Sequence, residues 1–173
     1  MKMIPLTGLF LVLSIAPAHA QAPAPSDQAL FEEGQRAYYS GGYAKAIDLF
    51  TQALQVDPED LNAYLQRGFC HSLTGEYDAA IADFTSVIDR KQDHLWAYIS
   101  RGSAYKKAGK FDLALKDFDT VLKMDPRNEE AFNNRGWTYK ALGNTKQACA
   151  DWQASKKMGN DEAKVILKNN NCK

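Results

Sequence analysis

Apolar residues return at three- and four-residue intervals along most of the chain, as in Ala114, Leu115, Phe118, Val121 and Leu122, with charged side chains between them. That is the spacing of helices that bury one face. The helical stretches come in pairs, because glycine stands at 41, 75, 109 and 143, where a residue free to take left-handed angles ends one helix and turns the chain into the next. The second helix of a pair stops at Asp57-Pro58 and again at Asp125-Pro126. Proline cannot continue a helix, and it biases its predecessor away from helical angles. Asp60 and Asn128 then stand where the following helix needs a side-chain cap.

The whole pattern recurs every 34 residues: glycine at 34, 68, 102 and 136, alanine at 46, 80, 114 and 148, and Phe50, Phe84, Phe118 and Trp152 keep one beat. Small residues at fixed slots predict two antiparallel helices in close approach, with the aromatic rings filling the space beside them. A pair of this size cannot bury its own apolar stripe, so pairs must stack, and about three or more are needed for a continuous core.

Gly102, Tyr105, Gly109, Phe111, Ala114, Phe118 and Asp125-Pro126 resemble the tetratricopeptide repeat pattern. The resemblance implies an all-α, right-handed helical-repeat solenoid of four helix pairs, at 27–60, 61–94, 95–128 and 129–162, with a C-terminal capping helix and tail at 163–173. Departures fall where Lys91-Gln92 and Gly159-Asn160 replace Asp-Pro, and where Thr145 replaces an aromatic. The fourth unit is therefore a worn terminal one. Asn160 or Asp161 is placed to cap the last helix, whose Ala163, Ile166 and Leu167 share a face that covers the fourth pair.

At the other end, Lys2, an apolar run from Ile4 through Ile15, and Ala18-His19-Ala20 read as a secretory signal peptide at 1–20, cut after Ala20. The run falls short of the roughly 20 residues of a spanning helix, so no membrane insertion is expected after cleavage. Residues 21–26 are Ala/Pro-rich and read as a disordered lead-in, with Ser26 and Asp27 available to cap the first helix. The expected location is periplasmic or secreted.

An oxidising compartment gives meaning to three cysteines. Cys149 lies in the fourth unit and Cys172 beyond the capping helix that folds back over it, so these two are the natural disulfide pair; two buried free thiols are the alternative. Cys70 sits inside a helix and reads as a packing residue.

Lysine plus arginine number 21 against 21 acids, and loss of Lys2 with the signal leaves a mature charge of −1. Bulk charge thus attracts neither nucleic acid nor anionic lipid. No catalytic or metal-ligating set emerges either, and no cofactor is expected. His19 leaves with the signal, His71 takes the slot of Tyr105 and Tyr139, and His94 falls at a unit junction. Arg67, Arg101 and Arg135 precede the unit glycines, and Asp83, Asp117 and Asp151 follow sixteen residues later on the partner helix. An ion pair within the unit is the preferred reading, with an anion-binding ladder as the alternative.

The resemblance further implies that the first helix of each pair lines a concave groove that holds peptides. By position, the lining includes Phe31, Gln35, Tyr38, Asn62, Gln66, Phe69, Trp96, Ser103, Asn133, Asn134 and Trp137, with Gln28, Glu32, Tyr39, Leu65, Ser72, Leu73, Ile99, Ser100, Lys106, Lys107, Glu130, Lys140 and Ala141 in the remaining slots. Amides can bond a peptide backbone and aromatic rings can anchor apolar side chains, though the same rings could simply pack between neighbouring units. The slots that grip a C-terminal carboxylate in one subtype hold Phe31, Gln35, Gln66, Trp96 and Ser100 here, or Leu65, Phe69, Ser100, Glu130 and Asn134 one unit later, which argues against that clamp. The expected function is a non-enzymatic scaffold that binds a protein or peptide segment in an envelope complex; the alternative is a self-associating module that builds a homo-oligomer.

Overall fold

The computed structural model describes residues 26–172, so the expected signal peptide and most of the lead-in lie outside the described residues. The first two pairs are α1 (Asp27–Tyr39) with α2 (Tyr43–Val56), and α3 (Leu61–Thr74) with α4 (Tyr77–Arg90). Then come α5 (Leu95–Lys107) with α6 (Phe111–Met124), α7 (Glu129–Ala141) with α8 (Thr145–Lys157), and α9 (Glu162–Asn169). Among the described residues there is no strand. Each helix packs on the next, and in addition α1 touches α3, α3 touches α5, and α5 touches α7. The second helices make no comparable contact with one another, so the first helices gather along one side of a helical-repeat solenoid.

Local chemistry sets the helix ends. Ser26 Oγ accepts from the Ala29 N–H at 3.2 Å, Asp60 from Asn62 at 2.8 Å, and Asn128 from Ala131 at 2.9 Å. His94 does the same work for α5, its Nδ1 accepting from the Ala97 N–H at 3.2 Å, so this junction histidine is a helix cap. Asn160 caps α9 through the Ala163 N–H at 3.3 Å. At the turn after α3, Gly75 has φ of 85°, a value that disfavours any side chain.

Inside each pair, the first-helix glycine faces a ring rather than the alanine twelve residues on. A Cβ on Gly102 would lie 2.8 Å from Phe118, closer than real Cβ contacts come. The bare backbone is thus a seat for the aromatic sixteen residues later, and Phe50, Phe84, Phe118 and Trp152 are all fully buried there. Cys70 is buried in the first core cluster, and burial pushes its thiol up to about 11, which leaves it unreactive at neutral pH.

The recurrent arginines form the expected ion pairs within the second, third and fourth units. Arg101 donates through Nε and Nη2 to Asp117 at 2.8 Å each, and Arg67 and Arg135 grip Asp83 and Asp151 in the same two-pronged way. These are not exposed pairs, since Asp83, Asp117 and Asp151 are only 4%, 5% and 6% accessible. The third prong reaches the preceding unit: Arg67 Nη1 donates to Thr51 at 3.0 Å, Arg101 to Thr85 at 3.1 Å, and Arg135 to Asp119 at 2.6 Å. Each guanidinium therefore closes its own pair and also ties it to the one before. Aromatic faces cover the cation, with Tyr98 and Tyr105 at 5.5 and 5.8 Å from Arg101. The hydrogen bonds to Asp117 hold the Arg101 guanidinium above its ordinary pKa, so it stays charged throughout. The first unit has Glu33 in this slot, paired instead with Lys45 at the surface.

At the far end α9 packs on α8, and Cys149 is joined to Cys172 with their Cα atoms 5.4 Å apart. The bridge spans 23 residues and pins the end of the capping segment to the fourth unit.

Two stability measurements check this packing. In urea unfolding, Arg101→Met should cost about 3–5 kcal/mol by stranding the buried Asp117 carboxylate, whereas Arg101→Met with Asp117→Leu should recover most of that loss. Cys172→Ser should cost about 3 kcal/mol in the chain-entropy account of a loop this long, and should speed hydrogen exchange in α9 ahead of the other helices.

Candidate functional site: a pocket along the first helices

The first-helix side is broken by a pocket of about 250 Å³ lined by Phe69, Ser72, Phe84, Trp96, Ile99, Ser100, Ser103 and Glu130. Helical spacing explains the wall from α5: Trp96, Ile99, Ser100 and Ser103 recur at intervals of three, one and three, which places them on one stripe. Phe69 and Ser72 come from the matching stripe of α3, and Glu130 from the first turn of α7. Phe84 of α4 supplies part of the lining, its ring 5.4 Å from that of Phe69 in a T-shaped contact. A second pocket of about 260 Å³ adjoins the first, sharing Trp96, Ile99 and Glu130 and adding Leu95, Asp125, Arg127, Asn128 and Glu129.

The polar groups here are open to a ligand. Among the described residues, the hydroxyls of Ser72, Ser100 and Ser103 and the carboxylate of Glu130 have no hydrogen-bond or ion-pair partner. Burial raises the Glu130 carboxyl above its ordinary value of 4.5, and neighbouring Glu129 adds to the effect. Lys106, on the same helix as Ser100 and Ser103, is instead engaged, donating to Asn134 Oδ1 at 3.3 Å. Burial pushes its ammonium below the ordinary value, with Lys107 contributing.

Of the residues expected to line the groove, the structure brings Phe69, Trp96 and Ser103 into one pocket. Phe31 packs on Phe50 at 5.5 Å, Tyr38 lies against Tyr39 and Tyr43, and Trp137 meets Trp152 at 5.0 Å. Each of these ring contacts lies within one unit, while the core cluster that Phe31 and Tyr38 pack against also takes in Cys70 of the second unit. Trp96 is the exception, with 61% of its surface accessible and no ring partner. Among the amides, Asn134 is held by Lys106 and Asn133 has a buried Oδ1 with no donor, while the side chains of Gln35, Asn62 and Gln66 are unpaired. The lining role of Phe84 was hidden in the sequence because its slot reads as core, and the ring does both jobs. Glu130 sat in a groove slot without a reason to single it out until its lack of a partner became visible.

This architecture defines a helical-repeat protein. Tetratricopeptide repeat models match residues 31–94, 95–128 and 118–150, and the chain belongs to the tetratricopeptide repeat family. No curated protein sequence matches it. Among solved structures it is similar to MamA from Desulfovibrio magneticus RS-1, at 17% identity and a TM-score of 0.73 over 77% of this chain and 75% of that one. It is also similar to YrrB, described as a TPR protein with an unusual peptide-binding site, at 21% identity and a TM-score of 0.75 over 83% and 74%. At these identities the likeness shows the fold alone. The first TPR of Spaghetti (RPAP3), bound to the HSP90 peptide SRMEEVD, reaches 27% identity and a TM-score of 0.64 over 68% of this chain and 94% of that one.

The two groove tryptophans should separate cleanly in unfolding experiments. Trp96→Ala should change stability by no more than about 0.5 kcal/mol, because its ring is largely in solvent, whereas Trp137→Ala should cost about 2–3 kcal/mol by unseating Trp152.

Proposed function

We propose that this chain is a non-enzymatic scaffold that holds an extended segment of another protein along its first helices and serves the assembly of a cell-envelope complex. The observation that carries the reading is the pocket over which Trp96 stands exposed, with Ser72, Ser100 and Ser103 unpartnered on its walls. An extended segment offers alternating N–H and C=O groups, and hydroxyls both donate and accept, so they match a backbone whatever its sequence. Trp96, Ile99 and Phe69 add the apolar area that gives such binding its strength. The likeness to YrrB and to the peptide-bound repeat of Spaghetti supports a protein or peptide partner.

The envelope setting rests on the disulfide, which suits an oxidising compartment, and on the expected cut after Ala20. No described helix is long and apolar enough to cross a membrane. A second reading, self-association into a homo-oligomer, is favoured by Tyr39 and Leu73, which hold the same slot in successive units and are 80% and 54% accessible. Light scattering separates the two, since a monomer across the working concentration range removes self-association.

Capture from envelope extract tests the main reading. Wild type should retain a protein that Ser103→Trp, which fills the pocket, and Trp96→Ala both lose, while all three proteins give the same helical circular dichroism. Identical catches from the three would refute binding at this pocket.

A further inference from the structure

Resting on the reading just given, we infer that the bound segment presents a basic side chain, arginine or lysine, at the junction of α5 and α7, where it lies on the Trp96 ring and pairs with Glu130. Trp96 and Glu130, with Ile99, border both pockets, so they mark the point where the two meet. Within the serine-lined pocket Glu130 is the one charged residue, set among apolar and hydroxyl side chains.

The charge there is uncompensated by the protein itself. Elsewhere this chain pairs its shielded acids: Asp83, Asp117 and Asp151 each hold an arginine. Every cation along the groove stripe is engaged away from Glu130. Lys106 donates to Asn134, Lys107 lies over Tyr77, and Lys140 lies over Trp137 and donates to Asn170. Arg127 lines the adjoining pocket but makes no ion pair, and Asp125 beside it is occupied by the Arg127 backbone N–H and the Asn128 amide. That pocket therefore carries an acidic excess, with Asp125, Glu129 and Glu130 against Arg127.

A basic side chain satisfies each feature at once. Its cation finds a carboxylate that burial has left poorly solvated, and an exposed indole face adds a cation–π attraction. Its methylene stem has Ile99 and Phe69 to cover, and Ser100 and Ser103 can accept any guanidinium or ammonium N–H that Glu130 does not take. An acidic side chain in the same place would meet Glu130 as a like charge, so the arrangement also discriminates.

A displayed library of short random peptides, panned on the oxidised chain, tests this. Selected peptides should carry arginine or lysine, and a synthesised one should bind Glu130→Gln about tenfold or more weakly than wild type by fluorescence anisotropy. Replacing its arginine with citrulline, or its lysine with acetyl-lysine, should weaken wild-type binding by a similar factor yet cost little further against Glu130→Gln, the mark of a direct pair. Arg127→Ala should leave binding intact or strengthen it. Peptides without basic residues, or equal affinity for wild type and Glu130→Gln, overturn the inference; if Ser103→Trp still abolishes their binding, the groove reading stands. The absence of any peptide whose binding Ser103→Trp removes overturns both.

Discussion

The contact on which the rest depends is that of an aromatic ring seated on bare helix backbone. In each of the four units a first-helix glycine leaves room for the ring sixteen residues later, and a methyl group there would collide with it. This fit sets how near the two helices lie, and through that spacing the geometry of everything added on top. The same rings also border the next unit, as Phe50 clusters with Cys70 and Phe84 with Ala104. Stacking draws on other groups as well, and the arginine that precedes the glycine in the last three units is the most telling of them. Its fork closes its own pair and its third donor grips the unit before. Buried charge of this kind adds little net stability over an apolar replacement, but it is intolerant of misalignment. It suits a structure in which register between units matters.

The division of labour frees a surface. The second helices and the inward stripe of the first helices take up the rings, the alanines and the arginine clamps. What is left on the first-helix side is a strip in which several polar side chains have no internal partner, although Lys106 and Asn134 are bonded to each other. Three serine hydroxyls and one carboxylate lie there without partners, beside a largely exposed indole that has no ring partner. Groups in that state are tolerable while water reaches them, and they are ready to exchange water for a ligand. At the C-terminal end the disulfide holds α9 against α8, so the last unit is covered without closing the strip between α3, α5 and α7.

Much of this was legible from spacing alone. The glycine period, the caps at Ser26, Asp60 and Asn128 and the arginine–aspartate pairs all follow from slot identity, because each slot admits few side chains, and the Cys149–Cys172 bridge follows from a capping helix that folds back over the fourth unit. The third arginine contact was in the sequence too, as Thr51, Thr85 and Asp119 stand sixteen residues before the arginines, but recognising it required the offset between units. The candidate strip was harder to see. Phe31, Phe69, Trp96 and Trp137 all fall in groove slots, and nothing in composition tells which rings turn inward. The difference is positional: Trp96 enters in the first turn of α5, clear of the buried ring of its own unit, whereas Phe69 and Trp137 sit one residue after the glycine and lean on that ring. Whether a carboxylate such as Glu130 has found a partner depends on every neighbouring helix at once.

The central claim is that the strip shared by α3, α5 and α7 receives the guest. Amide chemical-shift mapping on the nitrogen-labelled chain, titrated with a peptide selected on it, tests this most directly. The account predicts the largest changes at Phe69, Ser72, Trp96, Ser100, Ser103 and Glu130, with the Trp96 indole N–H among the first to move. Changes confined to the second helices, or to α9 and its disulfide, would contradict it.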